Sequence, residues 1–186
     1  MPFSPSWFYP HWLGRRARNL IPHVCPNPCE TATATLPQDV RIYAIGNIHG
    51  MSDLITQLFE QICDDAERTS QHQRIIIVLC GDYIDHGQDS AGVLSFLSKM
   101  KSPRLELVAL RGNHEDLLQR FMDEPSRYGT RWMESGGVQT LESYGLALPS
   151  GSPESYIKVR AALWRWMPMS HVHFLMELKN NFTIGD

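Results

Sequence analysis

The chain has 186 residues, and its composition, with 42% hydrophobic and 20% charged residues, is typical of one soluble globular domain. Its 17 Lys and Arg residues against 20 Asp and Glu residues give a net charge of −3, which argues against electrostatic binding of nucleic acid or anionic lipid. The longest apolar run, Ile75 to Cys80, is far shorter than the roughly 20 residues that span a bilayer, and the N-terminus lacks a signal-peptide core. We therefore expect a cytoplasmic protein without membrane or nucleic-acid partners.

The first 39 residues predict an irregular N-terminal arm. Seven of the twelve prolines fall before Asp39, interleaved with aromatic residues and a basic cluster. The pattern becomes regular from Val40, so we expect one folded domain over residues 40–186.

Three strand–helix units follow in chain order. The predicted strands are Val40 to Ile45, Ile75 to Cys80 and Leu105 to Leu110, and each precedes a helical stripe of apolar residues. The order βαβαβα predicts an α/β fold with a parallel sheet and right-handed crossovers. Helices are then predicted over Gln139 to Tyr144, Glu154 to Met167 and Ser170 to Lys179, with a further strand opening at Phe182 to Ile184.

Polar side chains beside glycine follow each of the three strands. The three loops read Gly46-Asn-Ile-His-Gly50, Gly81-Asp-Tyr-Ile-Asp-His-Gly87 and Arg111-Gly-Asn-His-Glu115. Because the carboxyl ends of parallel strands share one edge of the sheet, we expect the loops to meet there. Amide, carboxylate and imidazole groups suit divalent metals, so the sequence predicts a metal site.

At these loops the sequence resembles the calcineurin-like metallophosphoesterases, in the branch of bacterial serine/threonine phosphoprotein phosphatases and diadenosine tetraphosphatases. The resemblance extends through Trp132 to Gly145 and Pro168 to Leu175. It implies a four-layer αββα sandwich, of which this chain carries the first half, and hydrolysis of phosphate esters by a metal-bridging hydroxide. The implied substrates are phosphorylated proteins or dinucleoside polyphosphates.

The resemblance also implies roles for eight residues. Asp82 matches the ligand that bridges two metal ions (Mn, Fe or Zn), Asn47 and His49 match ligands of the first ion, and Asn113 matches a ligand of the second. His114 matches the general acid, and Asp85 the carboxylate that orients it. Arg111 and His86 match residues that hold the substrate phosphate.

Three departures from the family pattern indicate weakened catalysis. Asn47 stands where the family has Asp, and His86 where it has Arg, so the site loses negative charge toward the metal and a fixed positive charge toward the phosphate. The family's two remaining histidine ligands of the second ion would follow Asp186, and His171 and His173 match a part of the pattern that binds no metal. We therefore expect an incomplete second site.

Because the second half of the sandwich would follow Asp186, we also expect the inner face of the sheet to be exposed and the chain to self-associate through that face. Two functions stay open at this point. One is a metal-dependent phosphoesterase, and the other is a catalytically impaired relic or binding module that keeps the fold.

Overall fold

A three-stranded parallel sheet lies within the part of the chain that the structure describes. The computed structural model describes residues 36–69 and 74–185, and nearly all of the predicted arm lies outside them. The strands are β1 (Val40–Ile45), β2 (Arg74–Leu79) and β3 (Leu105–Ala109), in the order β1-β2-β3 with both pairings parallel. The predicted α/β class and parallel core are confirmed.

Helices separate the strands and make up the second half of the described chain. They are α1 (Ser52–Thr69), α2 (Ser90–Lys99), α3 (Asn113–Asp123), α4 (Pro125–Trp132), a π-helical segment (Met133–Gly137), α5 (Val138–Ser143), α6 (Pro153–Trp166) and α7 (Met169–Met176). The sequence did not predict α4, which contains Gly129. A Cβ at that glycine would lie 2.3 Å from the Tyr156 ring, so close packing against α6 outweighs the low helix propensity of glycine.

The strand predicted at Phe182 to Ile184 is wrong, because residues 181–185 form no strand. The sheet is extended instead by one parallel bridge between Leu110 and Lys179. Arg111 N–H donates to the Lys179 carbonyl (2.8 Å), and Lys179 N–H donates to the Ala109 carbonyl (2.9 Å). The chain therefore returns to the sheet earlier than the apolar pattern suggested.

The main core lies against one face of the sheet. Ile45, Ile77 and Leu79 point to this face, where they join the apolar stripes of α1 and α2. On the opposite face Ile76 and Val108 are buried, whereas Ala44 is exposed and Val78 is partly exposed. Self-association through that face stays a prediction. None of the helices among the described residues combines the length and apolar character needed to cross a bilayer.

A buried histidine links α7 to α2 and to the end of α5. His171, 2% exposed, contacts the Ser95 hydroxyl through Nε2 (2.9 Å) and the Tyr144 hydroxyl through Nδ1 (2.8 Å). Burial, with a smaller contribution from Lys99, lowers the pKa of His171 below its usual 6.5. Burial therefore favours the neutral form of this imidazole.

We expect this histidine to make the free energy of unfolding fall as the pH drops below about 6.5. His171 takes up a proton at a higher pH in the unfolded chain than in the folded chain. Its contribution to the free energy of unfolding is therefore complete above the pKa of the unfolded chain, and it is lost as the pH falls toward the pKa of the folded chain. Urea unfolding at several pH values measures the effect, and His171→Gln should lose less stability on acidification than the wild type.

The exposed His173 in the same helix provides the matched control. His173→Gln should keep the pH dependence of the wild type, since this side chain is already exposed to solvent in the folded chain. Parallel pH profiles for the wild type and His171→Gln would contradict the prediction.

Candidate active site

The loops after β1 and β2 bind each other through their backbones. Ile48 and His49 N–H both donate to the Asp82 carbonyl (2.9 Å each), and Gly50 N–H donates to the Tyr83 carbonyl (2.9 Å). Gly87 permits this approach, because a Cβ there would lie 1.8 Å from the His49 carbonyl oxygen. The polar residues that follow two separate strands therefore share one edge of the sheet.

Backbone strain is concentrated in these two loops. The non-glycine residues with positive φ in the described chain are His49 (44°), Asp82 (54°), Asp85 (69°) and His86 (62°). Such conformations cost free energy and persist where the surrounding contacts over-determine them, which is common at functional sites. All four residues carry side chains that the sequence singled out.

The Asn47 side chain lies within hydrogen-bonding distance of both His49 and Asp82. The Asn47 amide nitrogen donates to Asp82 Oδ2 (3.0 Å) and lies 3.3 Å from His49 Nε2. His49 Nδ1 donates to the Ile84 carbonyl (3.0 Å), which leaves Nε2 with its lone pair facing Asn47. A carboxylate oxygen and an imidazole nitrogen thus converge on one point.

This donor set fits a divalent cation. The Asn47 N–H groups lie toward Asp82 Oδ2 and His49 Nε2, two atoms that would also be attracted to a cation. Rotation of the Asn47 amide by half a turn would replace its nitrogen with its oxygen, which can bind a divalent cation. The fixed tautomer of His49 is the one that a metal ligand requires.

The third loop is shorter than the sequence predicted. Asn113, His114 and Glu115 form the first turn of α3, so the loop ends at Gly112. Asn113 is exposed at the first position of the helix, and the backbone N–H of the next residue, His114, donates to Asp82 Oδ1 (3.2 Å). A Cβ on Gly112 would lie 2.1 Å from the same oxygen, so this approach requires glycine.

Asp85 and His114 form a buried pair beside these groups. His114 Nδ1 donates to Asp85 Oδ2 at 2.8 Å, and the two residues are 8% and 0% exposed respectively. Burial raises the pKa of Asp85, and hydrogen bonds from Thr140, His114 and Trp132 partly offset that rise. The carboxylate fixes the tautomer of His114, whose Nε2 has no hydrogen-bond partner within residues 36–69 and 74–185.

His86 completes a group of three imidazoles. The ring centroids of His49, His86 and His114 lie 4.8 to 5.0 Å apart, and one nitrogen from each ring lies within 4.8 Å of the others. Gly136 positions His86: its carbonyl accepts the His86 N–H (3.3 Å), and a Cβ on Gly136 would lie 2.7 Å from His86 Nδ1. These three side chains could also hold a metal ion.

Glu115 links the second and third loops. Its buried carboxylate accepts N–H groups from Asp82 (2.9 Å), Tyr83 (2.8 Å) and Gly112 (3.0 Å). Burial raises the pKa of Glu115, while these three bonds act in the opposite direction. The carboxylate thus satisfies backbone donors in the segment that carries Asp82.

Arg111 lies in a different setting. Its guanidinium hydrogen-bonds to Gln119 on the second turn of α3, and its buried Nε has no partner among the described residues. The side chain lines a cavity of about 360 Å³ whose walls come from α3, α6 and α7.

A family model for calcineurin-like phosphoesterases matches residues 40–167, which include all three loops. The chain belongs to this family. It is also similar to serine/threonine-protein phosphatase 1 of Salmonella typhimurium, with 31% identity over 97 residues. That match covers 52% of this chain and 38% of the relative, so the chain spans well under two thirds of the protein that it resembles.

Three residues of this candidate site were missed from the sequence. Glu115, Trp132 and Thr140 stand within stretches that carry the family resemblance, but none was given a role. The signal for Glu115 was its position three residues after Gly112, because a carboxylate there can accept the backbone N–H of the residue that caps the helix. Trp132 and Thr140 gave no comparable signal, since their contact with Asp85 spans 47 and 55 residues.

Proposed function

We propose that this protein is a metal-dependent phosphoesterase. The observation that carries the proposal is the convergence of Asn47, His49 and Asp82 beside the buried Asp85–His114 pair at the carboxyl edge of the sheet. One group of side chains can bind cations, and the adjacent pair can deliver a proton. A phosphate ester needs both.

In this proposal Asn47, His49 and Asp82 hold a first divalent ion, and Asp82 and Asn113 contribute to a second. The chemistry that such ions supply when bound is activation of water at neutral pH and neutralisation of phosphoryl oxygens. His114 protonates the departing alkoxide, and Asp85 orients the ring. His86 and, after release from Gln119, Arg111 bind the phosphate.

The three imidazoles give a second candidate for the metal site. If His49, His86 and His114 bind one ion, the nitrogen donors favour zinc over manganese and His114 cannot serve as the acid. His86→Arg distinguishes the two arrangements. If the three imidazoles bind the metal, this substitution should weaken metal binding. If Asn47, His49 and Asp82 bind it, the substitution should leave metal binding unchanged and strengthen phosphate binding.

The name of the Salmonella relative supports phosphorylated proteins as substrates, and dinucleoside polyphosphates are the alternative. A phosphothreonine peptide and diadenosine tetraphosphate, assayed side by side, separate the two. A cytoplasmic location stays a prediction from the sequence.

We expect the purified chain to hydrolyse para-nitrophenyl phosphate with stimulation by Mn²⁺ and loss on chelation. Asn47→Asp should raise the affinity for Mn²⁺ by about ten-fold or more, because it adds a negative charge at the cation. Isothermal titration measures that affinity without relying on turnover, and the matched control is Gln119→Glu, which adds the same charge away from the donor group.

Failure of the double variant Asn47→Asp with His86→Arg to hydrolyse any of these esters would contradict the proposal. Together with undetectable metal in elemental analysis, that result would favour the alternative of a catalytically impaired relic or binding module.

A further inference from the structure

The Asp85 carboxylate receives more hydrogen bonds than its contact with His114 requires. Oδ2 accepts from His114 Nδ1 (2.8 Å) and from the Trp132 indole N–H (3.1 Å). Oδ1 accepts from the Thr140 hydroxyl (2.7 Å) and from the same indole (3.2 Å). Both oxygens are therefore held by side chains from the helical half of the described chain.

Thr140 also holds the backbone of the same aspartate. Asp85 N–H donates to Thr140 Oγ1 (3.0 Å) and to Ser90 Oγ (3.1 Å), and the two hydroxyl oxygens lie 3.0 Å apart. Since the Thr140 proton is donated to Asp85, the Ser90 hydroxyl donates to Thr140. Asp85 has a positive φ of 69°, and these contacts stabilise that unfavourable backbone conformation.

The orientation of the Asp85 carboxylate decides which ring nitrogen of His114 is protonated and donates a hydrogen bond to it. A carboxylate held at Nδ1 keeps Nε2 available, as the role of a general acid requires. The ring itself cannot enforce this arrangement, because rotation of an unsupported carboxylate would release Nδ1. The geometry points to Trp132 and Thr140 as positioning residues that act through Asp85 to set the tautomer and orientation of His114.

The expected effect on kcat rests on the proposed function, whereas the expected change in the NMR spectrum does not. Thr140→Val removes the hydroxyl at constant shape, and Trp132→Phe removes the indole N–H while keeping a ring against Phe121, whose centroid lies 4.5 Å away. We expect each variant to lower kcat by about 10- to 100-fold with KM changed much less, and Thr140→Ser to restore most of the loss. In an Asp85→Asn background neither change should lower kcat further.

The direct readout is the Nδ1 proton of His114 in the NMR spectrum of the full chain with Mg²⁺. A hydrogen bond to a buried carboxylate shifts this resonance downfield, and its absence in His114→Asn assigns it. We expect the resonance to be lost or moved upfield in Thr140→Val and Trp132→Phe and retained in Thr140→Ser. Thr130→Val and Trp166→Phe are the matched controls, since neither side chain contacts Asp85 in the described structure.

An unchanged His114 resonance in both Thr140→Val and Trp132→Phe would overturn the inference. If only one variant folds, the resonance in that variant decides. Absence of phosphate-ester hydrolysis by the wild type would count against the proposed function alone, because the NMR result does not depend on turnover.

Discussion

Replacing His114 with Asn is expected to lower kcat for phenyl phosphate by about 10²- to 10⁴-fold, the usual contribution of a general acid. The Asn side chain can still donate a hydrogen bond toward Asp85, but it has no proton to give to the leaving group. The loss should be smaller for para-nitrophenyl phosphate, whose departing oxygen needs less help from an acid. Steady-state hydrolysis of the two esters measures the difference.

Metal affinity distinguishes a general-acid role of His114 from a role as a metal ligand in the three-imidazole site. Titration with Mn²⁺ should give the same dissociation constant for His114→Asn and the wild type if the ring acts only as an acid. A large loss of metal affinity, or an equal loss of kcat for both esters, would contradict the acid role. His173→Gln, which removes an exposed imidazole from α7, should behave as the wild type.

Replacing Glu115 with Ala is expected to lower the free energy of unfolding by about 3 to 5 kcal/mol. The change removes the acceptor of the N–H groups of Asp82, Tyr83 and Gly112, and the residue itself is 4% exposed. Buried donors without a partner cost about 1 to 3 kcal/mol each, and entering water offsets part of that cost. Urea unfolding followed by circular dichroism measures the change.

The neighbouring Asp116 provides a matched comparison, because it stands in the same helical turn and its pair with Arg120 is exposed. Asp116→Ala should cost less than about 1 kcal/mol. Similar losses for the two variants would show that Glu115 does not join the loops. We also expect Glu115→Ala to weaken Mn²⁺ binding, since the backbone of Asp82 loses its support.

Local sequence patterns predicted the central fold well for identifiable reasons. The run Ile75 to Cys80 is apolar on both faces, as a central strand is, and β2 occupies Arg74–Leu79. β1 has the predicted bounds, and β3 ends one residue early. The α4 helix was missed because Pro125 and Gly129 suppress the helical pattern that its packing against Tyr156 restores.

For the candidate site, the sequence indicated which residues gather but not how they interact. Asn47, His49, Asp82, Asp85 and His114 were singled out from the strand ends, and they lie together. The phosphate roles assigned to Arg111 and His86 are less simple in the structure, where Arg111 binds Gln119 and His86 lies among imidazoles. Side-chain direction at these positions depends on neighbours that no local pattern reveals.

The sequence by itself determined the parallel core and the position of the polar side chains after the three strands, because strand periodicity and glycine spacing are local properties of the chain. Only the tertiary structure decided that Glu115 would bind the backbone beside Asp82, and that Trp132 and Thr140 would support Asp85. Those contacts join residues about 30 to 55 positions apart, and a buried carboxylate accepts whichever donors the packed helices bring to it.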